Sequence, residues 1–241
     1  MSAKPAFLAL VLDAPLQSWG FESRFERRTT GLHPTKSGVI GMICAAMGLA
    51  KGVKEEQATL PALAEVHMTS IAIPRTRLNL WSGETEDLAV GRLEDFHTVQ
   101  GTRRASGSMN PDAVVTRRQY LVDARYGVIL KGDRPLLERV DGALRNPIWG
   151  LWLGRKSCIP AQPIPRGVYH SASEAYHALV GDSPPNASSI VAEATSFAEG
   201  TDSLNDQPVS FGDGTSSGPD QRRFAVRRIR VSVGSGLPLK D

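Results

Sequence analysis

Only two cysteines, Cys44 and Cys158, occur in this chain of 241 residues. Two thiols cannot build a disulfide framework, and neither has a metal-binding partner at a usual spacing. The composition therefore argues against a stapled secreted module or a zinc site, and a reducing, cytoplasmic compartment is expected, with no metal and no cofactor. Long hydrophobic runs are also lacking. The apolar stretch Phe7–Leu12 stops at Asp13 and Pro15, too short for a membrane span, and no signal-peptide cleavage pattern follows it. The glycine-rich Walker spacing is missing as well, and no carboxylate is placed for magnesium, which argues against an NTPase. Finally, from Gly167 to Gln221 there is no lysine or arginine, while that stretch holds eight acidic residues.

The basic charge lies elsewhere, and it is mostly arginine: 21 of the 28 cationic residues. Short clusters stand at loop-like places: Arg24 with Arg27-Arg28, Arg103-Arg104, Arg117-Arg118, Arg155-Lys156, and Arg222-Arg223 followed by Arg227-Arg228 and Arg230. A planar guanidinium grips phosphate bidentately and stacks on bases, so this distribution points to a polyanion, nucleic acid first. The net charge of +3 is modest; the segregation of charge, which gives a positive face and a neutral or acidic back, matters more than the sum.

The apolar pattern predicts a buried strand over 7–12, a helix over 36–49 capped by Thr35 or Ser37 with Val39, Ile40, Ile43 and Met47 as its stripe, and a strand over 67–73. Residues 74–116 carry few apolar side chains and are too long for an ordinary connection, so an extended hairpin or functional loop is expected there. One strand is predicted over 120–130, alternating from Tyr120 to Leu130. A helix over 134–144 follows, with Asp133 as cap and Asn146-Pro147 as stop, then a short strand near 150–153. This order is close to the two βαβ units of a ferredoxin-like sandwich. A helix over 172–179 opens with the capping box Ser171-Ala172-Ser173-Glu174. The polar tract 184–219 reads as partly mobile or hairpin-like, and the final strand 224–233 places Ile229, Val231 and Val233 opposite Arg228 and Arg230. The expected division is 1–160, including the 74–116 insertion, and a smaller C-terminal β-rich region, 161–241.

Three stretches carry candidate chemistry. The first runs from Gln17-Ser18-Trp19 through Arg24, Arg27 and Arg28 to Thr35-Lys36-Ser37. Cations and hydroxyls there precede a helix whose free N–H groups favour phosphate, although a capped helix beside a solvated basic loop would have the same sequence. The second, Asp95-Phe96-His97-Thr98-Val99-Gln100-Gly101, ends in Arg103-Arg104. His97, like His33, has the residue type for general acid–base RNA cleavage, or for bonding a base, or for bracing a hairpin. The third, Gly154-Arg155-Lys156-Ser157-Cys158, lets backbone approach a ligand closely and adds two cations and a hydroxyl, but is equally a tight surface turn.

Ala14-Pro15-Leu16-Gln17-Ser18-Trp19-Gly20, Pro34-Thr35-Lys36-Ser37-Gly38-Val39-Ile40-Gly41, Asp95–Gly101, Arg118-Gln119-Tyr120-Leu121-Val122-Asp123-Ala124 and Leu153–Cys158 occur in an order and spacing similar to the CasD family, a RAMP subunit of the type I-E CRISPR surveillance complex Cascade. The resemblance spans about residues 6–165 and fades after 170. It implies an α+β fold: a modified ferredoxin-like (RRM-like) domain with a long β-hairpin thumb at 74–116. It further implies a non-catalytic protein that holds the 5′ handle of CRISPR RNA, contacts the adjacent backbone subunit and the large subunit, and meets target DNA only through the guide duplex, with no membrane. A type I-C subgroup is itself a ribonuclease, which this chain does not resemble. The residues expected on RNA are Gln17, Trp19, Arg24, Arg27, Arg28, Thr35, Lys36, Ser37, His97, Arg103, Arg104, Arg117, Arg118, Arg155, Lys156 and Ser157. Two alternatives stay open: a metal-independent endoribonuclease using His97 or His33 on precursor CRISPR RNA, and a purely structural assembly protein whose arginines pair with acidic partner surfaces.

Overall fold

Ala6–Asp13 (β1) is buried along its whole length, as its unbroken apolar run predicts for a strand covered on both faces. The computed structural model describes residues 4–20, 26–104, 106–181, 188–212 and 222–234. After β1 come the two-residue strands Leu16–Gln17 (β2) and Arg27–Arg28 (β3), the helices Lys36–Ala46 (α1) and Lys54–Glu65 (α2), and the strand His67–Ala72 (β4). Two hairpins follow, Arg75–Leu78 (β5) with Thr85–Leu88 (β6), and Gly91–Val99 (β7) with Val114–Val122 (β8). The order is completed by Arg125–Gly132 (β9), Arg134–Arg145 (α3), Pro165–Tyr169 (β10), Ala172–Val180 (α4), Ser188–Glu193 (β11), Asp202–Ser210 (β12) and Arg223–Gly234 (β13).

The result is a mixed α+β fold on a seven-stranded sheet ordered β10-β1-β9-β4-β11-β13-β12. Alternation along β1 sends Leu8, Leu10 and Leu12 into one core and Phe7, Ala9 and Val11 into another. The first core is covered by Val39, Ile40 and Ile43 of α1, Leu60 and Leu63 of α2, and Leu137, Val140 and Leu144 of α3. The second is covered by Ala172, Ala175, Tyr176 and Leu179 of α4. The strands from 161 onward continue the same sheet, because β10 pairs with β1 and β11 with β4.

Four expectations change. The strand predicted over 120–130 is two strands, split at Asp123, which takes φ 55° and donates its N–H to the Pro15 carbonyl. β8 thereby leaves for a second, four-stranded sheet (β2-β8-β3, with β7 on β8) while β9 stays in the main one. No strand forms over 150–153; the next strand after α3 is β10. The tract 184–219 contains β11 and β12, and its segments 184–187 and 213–219 lie outside the described residues. Along β13 the apolar face holds only for Ile229, since Val231 and Val233 are exposed and Arg227 is buried. The helix α2, with Pro61 inside it, has no counterpart in the sequence reading.

Candidate nucleic-acid interface

Thr35 caps α1 with its own side chain, Oγ1 accepting the Gly38 N–H at 3.3 Å. The next donor, the Lys36 N–H, goes to Asp206 Oδ2 at 2.8 Å. A carboxylate of β12 thus occupies the helix N-terminus where a phosphate was expected, because the dipole end favours the nearest anion and the protein supplies one. The Lys36 side chain turns inward as well. It is 1% exposed, and its ammonium donates to both oxygens of Glu193 at 3.1 and 3.0 Å. Arg227 closes the group by a bidentate grip on Asp206 at 2.9 and 2.7 Å, with Nη1 3.9 Å from Glu193. Burial lowers the Lys36 pKa and Glu193 opposes the shift. Lys36 is therefore an internal strut joining α1 to β11–β13, not a ligand for an outside anion.

Three other candidates also serve the interior. Gln17 is fully buried, its amide donating to the Leu12 carbonyl at 3.0 Å and the Ala124 carbonyl at 2.6 Å while Oε1 accepts the Trp19 indole N–H at 3.0 Å. Trp19 is 1% exposed and Thr35 is buried. The apolar context of a tryptophan beside a glycine-rich helix start leaves both roles open in sequence; packing chooses the core.

The first and third stretches nevertheless converge. Gly154 takes φ +100°, and a Cβ there would lie 1.7 Å from the Ser18 carbonyl oxygen. Only glycine lets the 146–164 loop press onto the segment before α1, where the Ser18 N–H donates to the Leu153 carbonyl at 3.1 Å. Arg155 then reaches across, donating to the Gln119 carbonyl at 2.9 Å and the Arg28 carbonyl at 2.8 Å, with its guanidinium 4.7 Å from the Tyr120 ring centre. Ser157 touches the Tyr120 hydroxyl at 3.4 Å, and the Lys156 ammonium sits 5.7 Å from the Trp152 ring.

Between these pieces lies a cleft of about 750 Å³. Trp19, Arg28, Thr35, Ser37 and Arg155 line it, and so do residues not singled out in the sequence: Lys51, Glu56, Trp149 and Trp152, along with Arg222. Burial is the main cause lowering the Lys51 pKa, followed by repulsion from Arg222, while Glu56 opposes the shift, so two cations and one carboxylate face the same space. Burial, with help from Glu56, pushes the Cys44 thiol up to about 12, which keeps it protonated and inert. A usable signal was Trp149-Gly150-Leu151-Trp152, half the chain's four tryptophans in one glycine-bearing loop.

The remaining candidates lie on the second sheet. β3 runs parallel to β8 with Arg27 opposite Arg117 and Arg28 opposite Arg118; alternation sends the two pairs to opposite faces, so Arg28 lines the cleft while Arg27 and Arg117 line a separate pocket with Glu26, Phe96 and Val115. Arg118 Nε donates to Thr116 Oγ1 at 3.0 Å, and Arg117 approaches Glu94 only to 3.9 Å on the surface. His97 stands on β7 with Nδ1 3.7 Å from Asp95. Arg103 and Arg104 are exposed at the far end of the β7–β8 hairpin, where Arg103 bridges Met109. Arg24 lies outside the described residues. His33 is fixed between Ser70 Oγ and Ser189 Oγ, both at 2.9 Å, and burial lowers its pKa to about 4. Among the described residues no group of three or more His, Cys, Asp or Glu side chains converges as a metal-binding cluster, and no helix is long and apolar enough to cross a membrane.

The family described as CRISPR-associated protein (Cas_Cas5) matches residues 7–230. The chain is 30% identical over 183 residues to the CRISPR system Cascade subunit CasD of Escherichia coli (strain K12), covering 74% of this chain and 78% of that protein. Among solved structures it resembles a chain of a CRISPR RNA-guided surveillance complex, with TM-score 0.70 and 26% identity over 95% of this chain and 90% of the other. It also resembles a structure described as a Cas protein, with TM-score 0.64 and 30% identity over 95% of both chains.

Proposed function

Because this chain belongs to the CRISPR-associated protein (Cas_Cas5) family that it shares with CasD, we propose that it is an RNA-binding subunit of a type I-E Cascade that holds the 5′ handle of the guide without cutting it. One observation carries the reading. The loop at Gly154 and the start of α1 meet in a single cleft whose walls offer Arg28, Lys51, Arg155 and Arg222 together with two tryptophans. Arginine and lysine neutralise phosphates, and exposed aromatic faces stack splayed bases, which is how single-stranded RNA is held.

The arrangement β10-β1-β9-β4, with α1 joining β1 to β4 and α3 joining β9 to β10, supports the ferredoxin-like description of the core. The β7–β8 hairpin fits the thumb that wedges against a guide–target duplex, and the exposed faces of that hairpin suit contacts with the backbone and large subunits. The non-catalytic part rests on the histidines. Both ring nitrogens of His33 are spent on serines, and its lowered pKa leaves it neutral at pH 7, while His97 stands on the outer hairpin with its imidazole 3.7 Å from Asp95. Cleavage would need a base, an acid and charge stabilisation around one 2′-hydroxyl.

The test is a titration of labelled handle-bearing repeat RNA with the full chain at several salt concentrations. Binding should weaken with salt by a slope of about 0.7 per phosphate held, and Lys51→Ala should lower that slope by about one such step. Salt-independent retention would favour the purely structural role, and site-specific cleavage without divalent metal would overturn the non-catalytic assignment.

A further inference from the structure

The cleft that gathers the cations also holds one carboxylate with an oxygen that no described residue hydrogen-bonds. Glu56, in the first turn of α2, is 3% exposed and lines the cleft, and its Oε1 has no hydrogen-bond partner among the described residues. Buried acceptors are normally paired, and an unpaired one marks a place for a donor from outside. The surroundings say what kind of donor. Trp149, 44% exposed, lines the same space. Its loop is pinned to the end of α1 by the Trp149 N–H to the Ala45 carbonyl at 3.3 Å and the Ile148 N–H to the Ala46 carbonyl at 3.0 Å. Trp152 is braced by Lys156, which leaves Trp149 as the open aromatic face. Lys51 and Arg222 stand on the same cleft to receive a phosphate.

An ionised carboxylate only accepts. Among the four RNA bases, guanine presents two adjacent donors, N1–H and the N2 amine. Cytosine and adenine present one amine beside an acceptor nitrogen, and the single N–H of uracil is flanked by two carbonyl oxygens that a carboxylate repels. The geometry points to Glu56 as the base-reading residue of this cleft: an extruded nucleobase, guanine by preference, stacks on Trp149 and donates to the Glu56 carboxylate while its phosphate rests on Lys51 and Arg222. This inference deepens the RNA-holding reading and rests on it.

The experiment measures binding of GMP, AMP, CMP and UMP to the full-length protein by calorimetry, in parallel with a handle-bearing RNA. GMP should bind about tenfold or more tighter than UMP, the discrimination of a paired donor–acceptor contact. Glu56→Gln should bring that ratio toward one, and Trp149→Ala should weaken all four nucleotides together. Equal affinity of the wild type for GMP and UMP overturns the inference and makes Glu56 an internal counter-ion of Lys51; this comparison decides the matter even if the Glu56 variant fails to fold. RNA binding with no nucleotide binding sinks the base-reading role alone, whereas loss of both sinks the RNA-holding reading with it.

Discussion

Replacing Lys36 by methionine keeps the length of the side chain and deletes only the ammonium. In the folded protein that ammonium is the closest cation to Glu193, at 3.0 Å; the next, Arg227 Nη1, lies at 3.9 Å and is already committed through its other nitrogens to Asp206. Removal therefore leaves a carboxylate, 14% exposed, with the Met68 N–H at 3.1 Å and a distant guanidinium. Breaking a buried pair from one side costs about 3–5 kcal/mol, against about 0–1 for an exposed pair. The partial exposure of Glu193 puts the expected loss near the lower end, about 3 kcal/mol. For a domain of this size each kcal/mol moves the thermal midpoint by about 2–4 °C, so the midpoint should fall by about 6–12 °C. Urea unfolding followed by far-UV circular dichroism measures the loss, and adding Glu193→Leu to Lys36→Met should recover part of it by removing the stranded charge. At a temperature where the variant is folded, its RNA affinity and salt slope should equal those of the wild type. A variant with unchanged stability and a shallower salt slope would refute the reasoning, because it would mean that the ammonium faces a phosphate rather than Glu193.

Gly154→Ala should destabilise the fold by at least the 1–3 kcal/mol typical of a strained backbone, about that much from φ alone, and should weaken RNA binding by lifting the Arg155 loop off Ser18; a variant equal to wild type in both would show that the close approach is not made. His33 has a folded pKa of about 4 against 6.5 unfolded, so its contribution to stability is complete above pH 6.5 and is lost as pH falls toward 4. Between pH 7 and pH 4.5 the drop should be about 2 kcal/mol, and smaller in His33→Gln, as urea midpoints at those two pH values will report. Deleting the end of the β7–β8 hairpin, 101–109, should leave stability within about 0.5 kcal/mol while impairing target engagement in the assembled complex; a lost cooperative transition would assign that segment to the core.

Local pattern was enough for much of the main sheet. An unbroken apolar run has one low-energy fate in a sheet of this kind, and β1 takes it. The β4 pattern, the α1 and α3 stripes and the α4 capping position are likewise read from residues within a turn or two of one another. The capping box closed in altered form: Ser171 accepts the Glu174 N–H at 3.2 Å, while Glu174 turns to the His170 N–H at 3.1 Å instead of that of its own cap. The break at Asp123 was invisible because the apolar alternation runs through it; what bends the chain is the Pro15 carbonyl, more than a hundred residues away in sequence.

The interface divides the same way. That arginine-rich loops flank a helix start, and that Gly154 precedes two cations, is information carried by adjacent residues, and it was sufficient to place the chain near its family and to expect a polyanion. Which cations point outward is settled by partners distant in sequence: Asp206 and Glu193 take Lys36 inside, whereas among the described residues no comparable carboxylate draws Arg28 away from the cleft. Glu56, Lys51 and Trp149 likewise acquire meaning only when α2 and the 146–164 loop are brought beside α1. Sequence by itself determined the chemistry on offer, because residue type and short-range spacing set charge and periodicity. Tertiary structure alone decided which of those groups are spent on one another and which line the cleft, because burial and pairing depend on neighbours that the chain supplies from far away.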